Sequence, residues 1–79
     1  MTQEQKLTAA RALVARIPGD ADPVTVPEAA EALGLSPSTV RRWVQDGRIE
    51  GAIDVSAGSN PQWRIWRDKL ARFLAERMK

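Results

Sequence analysis

Between Leu33 and Ser38 the chain closes one helix and opens another with almost nothing in between, and this junction limits the folds open to it. Gly34 tolerates the left-handed backbone that ends a helix. Ser36-Pro37 then supplies an N-cap hydroxyl and a proline at the first helical position, where its missing amide hydrogen is harmless. The helix that Gly34 closes has an equally plain start. Thr25-Val26-Pro27-Glu28 has the Thr-x-x-Glu form of a capping box, and Val26, Ala29, Ala30 and Leu33 follow at i, i+3, i+4 and i+7.

Two short helices joined by such a turn form a helix-turn-helix. The second is expected from Pro37 to Asp46, stopping at Gly47, with Val40, Trp43 and Val44 as its apolar stripe. Ser38, Arg41, Arg42 and Gln45 also sit at i, i+3, i+4 and i+7, and at ~100° per residue they point away from that stripe. Arginine, glutamine and serine are the side chains that meet guanine, adenine and phosphate edges in a major groove. A merely solvated face more often mixes Glu with Lys. Pairing with Asp46 or Glu31 is the duller use of Arg41 and Arg42, but exposed pairs contribute only ~0–1 kcal/mol. Trp43 is read as core, and Ser36 as a cap whose free helix-start amides also suit a phosphate.

Past Gly47, Ile49, Ile53 and Val55 suggest extended structure. The stretch Ala57-Gly58-Ser59-Asn60-Pro61 is turn chemistry, and Trp63 and Ile65 alternate as one buried strand face, so a hairpin is expected. Trp66 falls on the other face, either as a staple for the next helix or as partner surface. That last helix runs from about Arg67 to Met78, with Leu70, Phe73, Leu74 and Met78 inward and Lys69, Arg72 and Glu76 outward. At the other end Thr2-x-x-Gln5 caps an amphipathic helix over 1–17, whose Leu7, Ala10, Val14 and Ile17 share a face with Leu13 beside them. It either folds back on the core or serves as an arm for self-association or a partner. The expected organisation is this helix (1–17), a Pro/Gly/Asp linker (18–23) and a domain over 24–79. The fold class is mainly α with a small β-hairpin: a winged helix-turn-helix carrying an extra N-terminal helix.

Composition narrows the function. A chain of 79 residues has room for one small domain, not a large enzyme cleft. It has no Cys and no His, which removes disulfides, thiolate and imidazole metal ligands and the commonest general base. No Asp/Glu cluster has metal-ligand spacing, no serine sits in a nucleophile elbow and no Gly-rich loop follows a strand. No catalytic residue, metal or cofactor is expected. Charge is uneven: residues 1–40 carry three basic and five acidic side chains, and residues 41–79 carry nine basic and five acidic. A basic half suits a polyanionic partner. The start Met-Thr-Gln-Glu-Gln-Lys lacks the apolar run of a signal peptide and no apolar stretch is of membrane-spanning length, so a cytoplasmic, nucleoid-associated protein without a membrane partner is expected.

The string TVPEAAEALGLSPSTVRRWVQDGRI, continued by Trp63-Arg64-Ile65 and Asp68-x-Leu70-x-x-Phe73-Leu74, resembles the excisionase family of DNA-binding domains, relatives of the MerR-type winged helix. The resemblance covers about residues 24–75. It implies a recognition helix at Ser38–Gln45 in the major groove of double-stranded DNA and a wing near Ser59–Arg64 on the adjacent minor groove or backbone. Together the two readings nominate Ser38, Thr39, Arg41, Arg42, Gln45, Arg48, Ser59, Asn60, Gln62 and Arg64 for DNA contact. The resemblance also implies a recombination directionality factor or small transcriptional regulator, working with further copies of itself on DNA and with an integrase. The alternative is an adaptor that binds an integrase or polymerase as a protein-interaction module. Family members commonly carry Lys or Arg on the wing strands, whereas Glu50 and Asp54 are acidic here and Arg64 is the one basic residue near the tip. The wing is therefore expected to act through shape and hydrogen bonds more than charge.

Overall fold

A computed structural model describes residues 2–56, 58 and 60–78. Its elements run α1 (Gln3–Val14), β1 (Val24–Thr25), α2 (Val26–Leu33), α3 (Pro37–Gln45), β2 (Ile53–Asp54), β3 (Trp63–Ile65) and α4 (Arg67–Arg77). Four helices with a small antiparallel sheet make the winged helix-turn-helix expected from the sequence.

Three of the four helix starts form as their local chemistry dictates. Both capping boxes close: the Gln5 amide donates to the Thr2 hydroxyl at 3.1 Å and the Thr2 amide to Gln5 Oε1 at 2.9 Å. Thr25 and Glu28 exchange the same bonds at 3.2 and 3.0 Å. Each reciprocal pair satisfies two amides that a helix start would leave bare. Gly34 adopts φ 70°, where a Cβ would crowd the following carbonyl, and the chain turns into α3. Ser36 then accepts from the Thr39 amide at 3.3 Å.

The core is continuous and wholly apolar among the described residues. Ala10, Val14 and Ile17 from the N-terminal segment meet Leu70, Ala71 and Ala75 of α4, while Val26, Ala29, Ala30, Val40 and Val44 join the helix pair beneath Ile65. Full burial of side chains such as Leu70 and Ile65 contributes about 1.5–3 kcal/mol each before chain entropy is set against it.

Five expectations need revision. The first helix ends at Val14, not 17: a proline restricts the residue before it to extended backbone, so Pro18 turns the chain. Ile17 reaches the core through a tight turn, its amide donating to the Val14 carbonyl at 3.0 Å. The sheet has three strands in the order β1-β3-β2, not two, because Val24 and Thr25 pair with Ile65 and Arg64. The extended stretch from Ile49 to Val55 contracts to β2: Ile49 is buried in a turn, while Ile53 and Val55 are 41% and 50% exposed. Trp43 and Trp63 pack against the edge of the core but stay half-buried, and Lys69, expected outside, is half-buried beside Glu50 with Nζ at 3.7 Å from its carboxylate.

The segment between α1 and β1 is held by one side chain. Arg67, at the start of α4, donates from Nε to the Ala21 carbonyl (2.8 Å), from Nη1 to Ile17 (3.2 Å) and from Nη2 to Pro18 and Gly19 (3.4 and 3.0 Å). Its backbone amide donates to Asp22 Oδ1 at 2.9 Å. This clasp ties the residues after α1 to the helix that α1 packs against.

Candidate nucleic-acid interface

On α3 the buried positions Val40 and Val44 leave Ser38, Arg41, Arg42 and Gln45 exposed on the opposite face. Thr39 is half-buried, and its hydroxyl lies 2.9 Å from that of Ser36, so it belongs to the cap more than to the exposed strip.

The wing approaches this strip from one side. Arg41 lines a groove of ≈ 320 Å³ together with Thr25, Pro27, Gln62, Trp63 and Arg64. Arg64 lies on β3 between Thr25 and Ile53, half-buried, with Nη1 3.5 Å from the Trp63 carbonyl. Sequence distance hides this juxtaposition of Arg41 with Arg64, which the β1–β3 pairing creates. Trp63 Nε1 is buried without a hydrogen-bond partner among the described residues. Thr25 and Pro27, which the sequence marks only as helix-start residues, form the other lip.

Asp54 fixes the wing turn. Its Oδ1 accepts from the Ser56 amide at 2.9 Å and the Gln62 amide at 3.1 Å, and the Val55 amide donates to the Gln62 carbonyl at 3.0 Å. Those bonds, the Ser56 amide first, hold the Asp54 carboxyl below its ordinary range. Asn60 and Gln62 are exposed, while Ser59 lies outside the described residues. Arg48 sits elsewhere, its Nε 3.8 Å from Asp46, lining a separate depression with Lys69, Arg72 and Glu76.

The electrostatic contrast is in what the acids do. Asp46 meets Arg48, Glu50 meets Lys69, Asp54 holds amides, and Asp68 pairs with Arg72 at 2.9 Å and Arg11 at 3.7 Å. Glu28 is drawn below its ordinary range by the Thr25 amide first, with Arg64 and Arg67 adding attraction. Arg41 and Arg42 make no ion pair among the described residues. Their guanidinium donors therefore face solvent uncompensated, which is the state that favours a phosphate or base edge.

A family model described as a helix-turn-helix domain matches residues 24–78. No curated protein and no solved structure matches the chain. Among the described residues no helix is long and apolar enough to cross a membrane.

Proposed function

The chain belongs to the helix-turn-helix domain family, and from that premise we propose that it is a sequence-specific binder of double-stranded DNA, with α3 entering the major groove. The observation that carries this reading is the exposed strip of Ser38, Arg41, Arg42 and Gln45, free of acids and with both arginines unpaired among the described residues. Arg41 and Arg64 share one groove, so helix and wing can follow the same stretch of duplex. In this reading Gln62 and Asn60 add hydrogen bonds from the wing.

Arg41 and Arg42 divide base and phosphate contact between them. Replacing the base-reading one with Ala weakens specific binding roughly tenfold to a hundredfold and relaxes one position of the site, whereas replacing the other weakens all sequences alike. Binding by Arg41→Ala/Arg42→Ala that equals the parent at physiological salt overturns the assignment of α3.

The finer role rests on the resemblance of TVPEAAEALGLSPSTVRRWVQDGRI to excisionases: a recombination directionality factor or small transcriptional regulator, associated with the nucleoid. A module of this size covers too few base pairs to select a genomic site alone, so copies adjacent on the DNA supply the remaining specificity. An integrase gene beside this one favours excision over promoter control. One observation supports the adaptor reading instead: Ile53, Val55 and Trp66 are exposed large apolar side chains in and beside the sheet. An adaptor would lose its protein partner, and not DNA, when Ile53 and Val55 become Ser.

A further inference from the structure

The last turn of α4 holds an arginine that the helix-turn-helix reading leaves unused. The Arg77 guanidinium lies over Trp43 of α3, 5.0 Å from the ring centroid, and 5.6 Å from that of Phe73. The two rings themselves pack at 5.0 Å with a 53° tilt. Arg77 is exposed, and neither an ion pair nor a side-chain hydrogen bond from it occurs among the described residues. The cation–π contact restrains the guanidinium over the rings and leaves an N–H edge for a partner, so less side-chain entropy is lost when an anion arrives.

Where that edge lies follows from helix geometry. Arg41 and Trp43 are two positions apart, hence about 200° apart around α3. Arg41 faces the wing groove, so Trp43 and the Arg77 above it lie on the opposite flank. Of the two arcs between them, one passes through buried Val40 and Val44 and the other through exposed Arg42. On that exposed side of α3, Asp46 is matched by Arg48, and Glu76 beside Arg77 lines a depression that also holds Arg48, Lys69 and Arg72. Guanidinium groups thus succeed one another across the molecule: Arg64 and Arg41 at the wing side, Arg42 at the centre, Arg77 at the far side.

We infer that Arg77 is a phosphate-binding residue, which grips the DNA backbone on the side of α3 opposite the wing, with Trp43 as its positioning platform. The inference rests on the DNA-binding reading above and extends it to a second flank. A major groove is bounded by two phosphate strands, and a recognition helix with cationic contacts on both sides is fixed in roll as well as depth.

The test is the salt dependence of binding, by fluorescence anisotropy, to a labelled mixed-sequence duplex of about 12 base pairs, roughly one helical turn. Each phosphate contact contributes about 0.9 to the slope of log affinity against log salt. Arg77→Gln is expected to lower that slope by about 0.9 and weaken all sequences alike, while Arg77→Lys keeps the parent slope. Arg16→Gln, at the exposed end of the N-terminal segment, is the control that leaves the slope unchanged. Thermal melting of each variant separates the binding role from cation–π packing on Trp43. An Arg77→Gln protein with a lowered Tm and the parent slope, or with neither changed, overturns the inference and leaves the proposed function standing. A parent protein with no salt-dependent affinity for duplex overturns both.

Discussion

At the scale of single residues, this small molecule uses its carboxylates to fix geometry and leaves its central arginines open. Asp54, Glu28 and Asp68 each hold a turn, a cap or an arginine pair, and each has its carboxyl drawn below the ordinary range, by the Ser56 amide, the Thr25 amide and Arg72 respectively. A carboxylate whose folded pKa lies below its unfolded value stabilises the fold at pH above the unfolded value and loses that contribution as pH falls through the folded one. Stability is therefore expected to be level at neutral pH and to decline below the ordinary values of 4.5 for Glu28 and 3.8 for Asp54 and Asp68. Melting scans across that range check this, and Asp54→Ala should flatten part of the decline. The same variant frees the Gln62 amide, so hydrogen exchange there should quicken while α3 amides stay protected.

At the scale of elements, the turn between α2 and α3 decides how the exposed face of α3 is presented. Gly34→Ala places a Cβ at φ 70° and should cost roughly 1–2 kcal/mol. For a domain of this size that lowers Tm by about 4–16 °C in a melting experiment. The side chain meets nothing within 4 Å, so the loss is one of backbone strain and not of packing. The helix pair was legible in the sequence because Thr25, Glu28, Gly34 and Ser36 punctuate it by local chemistry, and the exposed strip follows from helical spacing alone. The rest depended on partners distant along the chain. Val24 and Thr25 become a strand only by pairing with Ile65 and Arg64, and a two-residue element has no periodicity to read. Ile17 continues the apolar face of α1 in sequence although its backbone has already left the helix, so periodicity overran the true end. The Arg41–Arg64 groove and the seat of Arg77 are tertiary meetings, invisible to spacing within one helix.

At the scale of the molecule, the helix-turn-helix unit and the N-terminal segment share one core. Ile17 is 1% exposed and lies beneath the Arg67 clasp. Ile17→Ala should cost about 2–5 kcal/mol, on the order of 10 °C or more in Tm, although the residue lies outside the 24–78 family match and far from α3. Calorimetry of that variant checks whether the molecule melts as one unit; two separate transitions, with α3 unaffected in the second, would contradict it. The clasp also bears on how the chain is made. Arg67 follows Ile17 by 50 positions, so the α1 segment waits for a later one before its core side is covered. At roughly 5–20 residues per second that wait lasts about 2.5–10 s, far longer than a helix needs to form and fray. Throughout that interval Ala10, Val14 and Ile17 stay open to water, and a holdase that recognises short apolar segments has its window on this protein there, before the arginine arrives to close it.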